Sequence, residues 1–181
     1  MRIIAGENKG LRLTPIGAAD AKNALRPTSD RVRESLFSML ASRGRPAEGD
    51  RVLDLFCGTG ALGLEALSRG AAHCTFVDIG RKALGLTRKN IALTQREGQA
   101  TVLNADATKD LPGGPFDLVF LDPPYGRNLA TPVLEQIAGK IAPQGIIVVE
   151  EGKQVDYPPT LGPIAQKRFG DTHIQLLAPK L

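Results

Sequence analysis

Tryptophan is absent from this chain of 181 residues, and aromatic residues make up only 4% of it. The chain has two cysteines, Cys57 and Cys74, and two histidines, His73 and His173. They do not form a CxxC pair or a cluster with ligand spacing, so we expect no metal site. Two isolated thiols, no run of about 20 apolar residues and no apolar leader together predict a cytoplasmic protein without a membrane span.

Acidic residues are scarce at the start of the chain. Residues 1–45 hold nine of the 23 Lys and Arg residues but only four of the 19 Asp and Glu residues. The positive excess of the chain, whose net charge is +4, therefore lies in its first quarter. Concentrated basic charge predicts contact with a polyanion such as a nucleic acid. An ordinary solvated surface is the alternative that this pattern leaves open.

The first 46 residues predict a small extension, and residues 47–181 predict the main domain. Short extended runs at residues 2–5 and 11–14 flank a turn-forming segment, which indicates a hairpin. A helix is predicted to begin with Thr28 as its N-cap. Apolar residues recur on this helix at helical spacing, as Val32, Leu36, Met39 and Leu40. Arg31 points away from this stripe, and Arg33 lies at its edge.

From residue 51 onward, strand and helix patterns alternate. Strands are predicted at residues 51–56, 74–77, 101–104, 117–121 and 146–150, and helices at 62–69, 81–94 and 129–141. Repeated strand–helix–strand units predict a doubly wound parallel sheet of the α/β class. Two further strands, at residues 164–169 and 174–177, are joined by a turn signal and predict a C-terminal hairpin.

A glycine-rich loop follows the first predicted strand. Gly58, Gly60 and Gly63 form a GxGxxG pattern, and Asp78 ends the second strand 20 residues after Gly58. Such a loop lets the backbone and a helix N-terminus approach an anionic ligand, and the whole pattern is compatible with NAD binding. Cys57, inside the loop, is interpreted as a small packing residue rather than a nucleophile.

Two more acids change this interpretation. Asp54 lies inside the end of the first strand, where its carboxylate can accept from the ammonium group of an amino-acid ligand. Asp106 follows the third strand and is placed to accept from an adenine amino group, beside Asp78 on the ribose hydroxyls. Three acids at three successive strand ends indicate an adenosine joined to a cationic amino acid. The alternative is that these acids cap helices.

The most specific motif is Asp122-Pro123-Pro124-Tyr125, at the end of the fourth strand. Two prolines interrupt strand pairing and fix a rigid turn. The Asp122 carboxylate and the Pro123 carbonyl can accept both N–H groups of an exocyclic amine, which directs the nitrogen lone pair toward an electrophile. Tyr125 offers a face on which an extruded base can stack. The motif therefore predicts methylation of a base amino group.

The glycine loop with Asp54 and the Asp122–Tyr125 motif resemble those of the class I amino-methyltransferases. Residues 2–6, 9–13 and 26–37 resemble the bacterial RsmD family. This resemblance implies transfer of a methyl group from S-adenosylmethionine, which becomes S-adenosylhomocysteine. It implies guanine N2 of 16S ribosomal RNA as the target, within the small subunit or an assembly intermediate. It also implies a Rossmann-like sheet of seven strands with the last strand antiparallel, and a pocket where the first and fourth strands part.

We therefore expect three groups of site residues. The catalytic group is Asp122, Pro123 and Tyr125. The cofactor-binding group is Asp54, Phe56, Gly58, Gly60, Asp78, Asp106 and Ala107. The RNA-binding group is Lys9, Arg12, Arg26, Thr28, Arg31, Arg33, Pro124 and Tyr125, although Arg33 could instead pack against the catalytic domain or line the cofactor pocket.

Three other functions compete with this interpretation. An adenine-N6 methyltransferase acting on DNA or RNA would use the same chemistry, but 181 residues leave little room for a DNA-recognition domain. An NAD-dependent oxidoreductase would use the glycine loop but leaves the Asp122–Tyr125 motif unexplained. A non-catalytic RNA-binding module would not need the acids and the motif intact.

Overall fold

The computed structural model describes residues 1–17 and 29–180. The predicted RNA-binding residues Arg26 and Thr28 lie outside these ranges. In the described part, the strands are β1 Arg51–Leu55, β2 His73–Asp78, β3 Ala100–Asn104, β4 Phe116–Leu121, β5 Ile141–Glu151, β6 Leu161–Phe169 and β7 Thr172–Pro179. The helices are α1 Asp30–Ala41, α2 Ala61–Ser68, α3 Arg81–Thr94 and α4 Ala130–Ile137, with a 3₁₀ turn at Glu97–Gln99. Within the described ranges, no helix is both long and apolar enough to span a membrane.

All seven strands belong to one sheet, in the order β3-β2-β1-β4-β5-β7-β6. Strands β1 to β5 pair in parallel, and β7 is antiparallel to both β5 and β6. The predicted doubly wound α/β sheet with an antiparallel last strand is confirmed. The C-terminal hairpin is confirmed as well, with β7 placed between β5 and the edge strand β6.

The central strands are buried on both faces. Val52 of β1 packs in a cluster with residues of α1, α2 and α3, whereas Leu53 and Leu55 pack in a second cluster with residues of α4. This explains why β1, β4 and the second half of β5 are apolar almost throughout. Helices α2 and α4 therefore cover opposite faces of the sheet.

Several predicted boundaries are wrong. Strand β5 begins at Ile141 rather than at residue 146, and β6 begins at Leu161 rather than at residue 164. The predicted helix over residues 129–141 ends at Ile137, because the Lys140 N–H donates to Ile137 O in a turn and Ile141 already pairs with Phe116 of β4. The N-cap of α1 is Ser29 rather than Thr28, since the Ser29 side chain accepts from Val32 N at 3.3 Å.

The buried face of α1 also differs from the predicted stripe. It consists of Arg33, Leu36, Phe37 and Leu40, while Val32 and Met39 are only partly buried. The stripe is thus rotated by one position, and its first member is an arginine. A pattern of apolar residues alone does not detect a charged side chain on the buried face.

The predicted N-terminal hairpin forms as a single antiparallel bridge between Arg2 and Arg12. Ile3 N donates to Leu11 O and Gly10 N donates to Ile3 O, both at 2.9 Å. The buried side chains of Ile3 and Leu13 join the same apolar cluster as α1 and α2. The segment is therefore anchored in the core of the main domain.

Polar side chains from α2 and α3 hold this segment by its backbone. Glu65, which is fully buried, accepts from Ile4 N at 2.7 Å and Ala5 N at 3.0 Å. Asn90 accepts from Thr14 N at 2.7 Å and donates to Thr14 O at 3.2 Å. These bonds satisfy backbone groups of an irregular segment that has little pairing of its own.

Replacing Glu65 with Ala should lower the free energy of unfolding by about 2–4 kcal/mol, because two backbone donors lose a charged acceptor and Arg69 loses its ion pair. Urea unfolding measures the total effect, and amide exchange at Ile4 and Ala5 should become faster. Glu135→Ala, at an exposed position of α4, is the matched control and should change little. Equal losses in both variants would contradict this role for Glu65.

Candidate active site

A cavity of about 730 Å³ lies at the carboxyl ends of β1, β2 and β4. The chain turns toward opposite faces after β1 and after β4, so a crevice opens between these two neighbouring strands. The predicted site residues that line it are Arg33, Asp54, Phe56, Gly58, Asp78, Asp106, Asp122, Pro123, Pro124 and Tyr125. The structure therefore brings both predicted motifs to one cavity.

Of the other predicted residues, five lie in the described ranges but outside the cavity lining. Gly60 and Ala107 are buried and do not line the cavity. Lys9, Arg12 and Arg31 are exposed and lie outside its lining. The assignment of these five residues to ligand contacts stays a prediction.

Asp78 fixes the glycine loop. Its Oδ2 atom accepts from Gly58 N at 3.0 Å, and its Oδ1 atom accepts from Gly80 N at 2.7 Å. Gly58 has a φ of 56° and lies beside the cavity, where the absence of a side chain keeps the backbone accessible. The acid at the end of β2 thus positions the loop that follows β1.

Gly63 has a packing role. A Cβ atom at this position would lie 2.4 Å from Phe76 Cε1 and 2.6 Å from Cys74 Sγ, so only glycine lets α2 approach β2 this closely. The third glycine of the GxGxxG pattern is therefore explained without a ligand. Cys57 is buried, burial raises the pKa of its thiol well above the usual range, and the predicted packing role agrees with this environment.

Asp54 is almost completely buried beneath the loop. Its Oδ2 atom accepts from Gly63 N at 2.9 Å, which ties β1 to the first turn of α2. Burial raises the pKa of Asp54 to about 8; the bond from Gly63 opposes this shift and nearby Asp78 adds to it. A cationic group in the cavity would stabilise the charged form of this carboxylate.

Asp106 closes the turn after β3. Its Oδ1 atom accepts from Thr108 Oγ1 at 2.7 Å and from Thr108 N at 3.0 Å. These two bonds, followed by Lys109, lower the pKa of Asp106. Asp106 also lines the cavity, so its capping role and its predicted ligand contact are compatible.

Asp122 is the acid with the fewest partners in the cavity. Its carboxylate makes no hydrogen bond or ion pair with the residues that the structure describes. Burial raises its pKa well above the usual range, and the charges of Glu150, Asp54 and Glu151 raise it further. A carboxylate in such surroundings is available to accept N–H groups and has an increased affinity for a proton.

Tyr125 is held by its hydroxyl group. The hydroxyl donates to Glu150 Oε1 at 3.1 Å and lies 3.1 Å from Thr172 Oγ1, so β5 and β7 both fix the ring. Burial, followed by the charge of Glu150, raises the pKa of Tyr125 above its usual range. The tyrosine therefore stays neutral, and its ring lines the cavity beside Asp122.

Sequence reasoning missed several residues of the cavity. Ile79 is 67% exposed and follows Asp78 directly, so it presents an apolar surface at the entrance. Arg127, which is also exposed, follows the Asp122–Tyr125 motif by two residues. Their positions next to strand-end motifs could have identified both residues from the sequence. Met1 and Ile16 gave no comparable signal, because tertiary packing of the N-terminal segment brings them to the cavity.

Known proteins are similar to this chain in sequence and in architecture. A family model described as conserved hypothetical protein 95 matches residues 1–178. Ribosomal RNA small subunit methyltransferase D from Escherichia coli strain K12 is 41% identical over 155 residues, which cover 83% of this chain and 74% of that protein. A Bacillus subtilis protein, provisionally named as the rRNA methyltransferase YlbH, is 37% identical over 175 residues, covering 93% of this chain and 91% of its own. The chain belongs to the RsmD family of methyltransferases.

The solved structures agree with this membership. An Escherichia coli protein provisionally described as the methyltransferase yhhF superposes with a TM-score of 0.85 and 35% identity, over 99% of this chain and 98% of that one. Coverage of nearly the whole chain includes the N-terminal segment and the C-terminal hairpin. Both are therefore parts of the architecture of this methyltransferase family.

Replacing Asp54 with Asn should flatten the pH dependence of stability in the ligand-free protein. Between about pH 4 and 8, folded Asp54 keeps a proton that the unfolded chain has lost, so stability falls as pH rises, by up to about 1.4 kcal/mol per pH unit. Urea unfolding at several pH values measures this slope. The asparagine side chain of the variant can still accept from Gly63 N, and the raised pKa of Asp122 leaves a residual slope. An unchanged slope would contradict the protonated state of Asp54.

Proposed function

We propose that this protein transfers a methyl group from S-adenosylmethionine to the exocyclic N2 atom of a guanine in 16S ribosomal RNA, leaving S-adenosylhomocysteine. The observation that carries the proposal is the presence of Asp122, without a partner among the described residues, in the same cavity as Asp54, Asp78 and Asp106. The name of the Escherichia coli relative supports ribosomal RNA of the small subunit as the substrate.

The residues of the cavity fit the parts of S-adenosylmethionine. Asp78 would accept from the ribose hydroxyls and Asp106 from the adenine amino group. Exposed Ile79 would cover a face of the adenine ring, which accounts for an apolar side chain that is 67% exposed at the entrance. Asp54 would accept from the ammonium group. When bound, this cofactor supplies an electrophilic methyl group on a positively charged sulfur.

Asp122 would position the target amine and stabilise the charge that develops on it. Its carboxylate and the Pro123 carbonyl would accept the two N–H groups, so that the nitrogen lone pair faces the methyl group. The nitrogen gains positive charge as the new C–N bond forms, and a nearby carboxylate stabilises that charge. The raised pKa of Asp122 makes it a better acceptor of the departing proton, directly or through water.

Tyr125 would receive the extruded guanine on its ring, with Pro124 beside it. Base–aromatic stacking contributes about 1–3 kcal/mol per base. Because its hydroxyl is bound to Glu150 and Thr172, the ring does not need to be ordered when the base arrives. This prior ordering favours a defined position of the amine next to Asp122.

The basic N-terminal residues would hold the RNA backbone, so that residues 1–46 face the RNA and residues 47–181 perform the reaction. Lys9, Arg12 and Arg31 are exposed, and the structure gives none of them an ion pair with a described residue. Exposed arginine and lysine side chains are suited to phosphate contacts, which fix the register of RNA without reading sequence.

Asp122→Asn should reduce the rate of methyl transfer at least tenfold, about 1.4 kcal/mol of barrier, because an acceptor oxygen remains but its charge is lost. The dissociation constant for S-adenosylmethionine should change little. Asp110→Asn, at an exposed position, is the matched control and should react at the wild-type rate. An Asp122→Asn variant with full activity would show that acceptor geometry suffices and that the charge is dispensable.

The wild-type rate should also fall on acidification at a pH well above the ordinary range of an aspartate. Asp122 must be deprotonated to accept the amine, and its pKa is raised by burial and by Glu150. A pH profile of single-turnover rates, with saturating cofactor, measures this acid limb. A rate that stays constant down to about pH 4 would contradict the role of Asp122 as an acceptor.

Arg31→Ala should weaken RNA binding, reduce the salt dependence by about one phosphate contact, and leave the affinity for S-adenosylmethionine unchanged. Lys9→Ala and Arg12→Ala should behave in the same way if the hairpin belongs to the RNA surface. Arg88→Ala, exposed on α3, provides the control. If all three N-terminal variants bind RNA with the affinity and salt dependence of the wild type, the RNA must bind to another surface.

The proposed reaction is tested by incubating the protein with S-adenosylmethionine and small ribosomal subunits from a strain that lacks the corresponding enzyme. Mass spectrometry of the nucleosides should show N2-methylguanosine. If the product is N6-methyladenosine instead, the target is adenine N6 and the assignment of guanine N2 is wrong. Binding of NAD but not of S-adenosylmethionine in a calorimetric titration would favour the oxidoreductase interpretation.

A further inference from the structure

Arg33 is a fully buried cation on the wall of the cavity. Its Nη2 atom donates to Arg2 O at 2.5 Å and to Asp30 Oδ1 at 2.7 Å. Its Nε and Nη1 atoms are also buried, but they have no hydrogen-bond partner among the described residues. Buried polar donors are nearly always paired, because the loss of hydration is otherwise not compensated. Two unpaired donors on a residue that lines the cavity therefore indicate a missing acceptor.

The neighbours of Arg33 place it on the glycine-loop side of the cavity. It bonds to the backbone of Arg2, and the sulfur of the adjacent residue, Met1, lies 3.8 Å from Thr59 Oγ1 in the glycine loop. Asp54 lies beneath the same loop and is bound to Gly63 N. The proposed ammonium contact, Asp54, and the N-terminal residues that hold Arg33 therefore both adjoin the glycine loop.

The charge of the cavity identifies the kind of acceptor. Four carboxylates line its described part, at Asp54, Asp78, Asp106 and Asp122, and Arg127 is exposed at its entrance. Such surroundings favour cationic groups, whereas the unpaired Nε and Nη1 donors of Arg33 favour an acceptor that carries negative charge. Within S-adenosylmethionine, the only anionic group is the carboxylate of its amino-acid end.

We propose that the unused donors of Arg33 bind the carboxylate of S-adenosylmethionine, while Asp54 accepts from the neighbouring ammonium group. This inference rests on the proposed function, and it makes Arg33 a cofactor-binding residue instead of an RNA contact. The carboxylate and the ammonium group of the cofactor are then each bound by a buried side chain of the opposite charge. A guanidinium is suited to this role because it stays protonated even where burial lowers its pKa, as it does here.

The test compares S-adenosylmethionine with decarboxylated S-adenosylmethionine by isothermal titration calorimetry. Wild-type protein should bind the decarboxylated compound at least tenfold more weakly, as expected when a charge-assisted hydrogen bond is lost. Without the Arg33 contact, four carboxylates would favour this more cationic compound. Equal or tighter binding of the decarboxylated compound by wild-type protein would overturn the inference and leave the proposed function intact.

Arg33→Met gives the second arm of the test. This variant should lose affinity for S-adenosylmethionine at least tenfold and should no longer prefer it over the decarboxylated compound. Arg43→Met, just beyond the end of α1, is the matched control and should keep the wild-type preference. An equal loss of affinity for both compounds in Arg33→Met would assign Arg33 a purely structural role and overturn the inference.

Two further outcomes separate the alternatives. Unchanged S-adenosylmethionine affinity in Arg33→Met, together with weaker RNA binding, would assign the donors to an acceptor on the RNA. Failure of wild-type protein to bind S-adenosylmethionine at all would overturn the proposed function itself. If Arg33→Met does not fold, as judged by circular dichroism, the wild-type comparison of the two compounds decides alone.

Discussion

The parallel adjacency of β1 and β4 is the constraint on which the site depends. The chain leaves β1 toward α2 on one face and leaves β4 toward α4 on the other, so no connection crosses the space between them. Asp54 and Asp122, which are 68 positions apart in the sequence, therefore line one cavity. The same arrangement brings the glycine loop after β1 and the proline turn after β4 to one cavity.

Crowding of acids at this edge has an electrostatic cost. Burial raises the pKa values of Asp54 and Asp122, and nearby carboxylates add to both shifts, Asp78 at Asp54 and Glu150, Asp54 and Glu151 at Asp122. These surroundings disfavour the charged forms of both carboxylates, and a bound cationic ligand would stabilise them. The stability of the ligand-free protein and its affinity for a cation are thus linked through the same side chains.

The N-terminal segment belongs physically to the catalytic domain. Glu65, Ser68 and Asn90 bind its backbone, and Ile3 and Leu13 are buried in the common core. Its inner surface supplies Met1 and, with α1, positions Arg33 on the cavity wall. Its outer surface carries exposed basic residues. One short segment can therefore connect the cofactor pocket with the surface on which we propose that RNA binds.

The sequence by itself determined the α/β class, the order of the elements and the two motifs, because hydrophobic period, glycine and proline act over a few neighbouring residues. It placed Asp54, Asp78 and Asp122 at strand ends, and parallel strands necessarily gather such ends at one edge. Only the tertiary structure decided that Arg33 is buried, that Ile79 is exposed and that Gly63 serves packing. Burial and exposure depend on which distant elements meet, and no local pattern records that an arginine of α1 is buried against the backbone of the N-terminal hairpin.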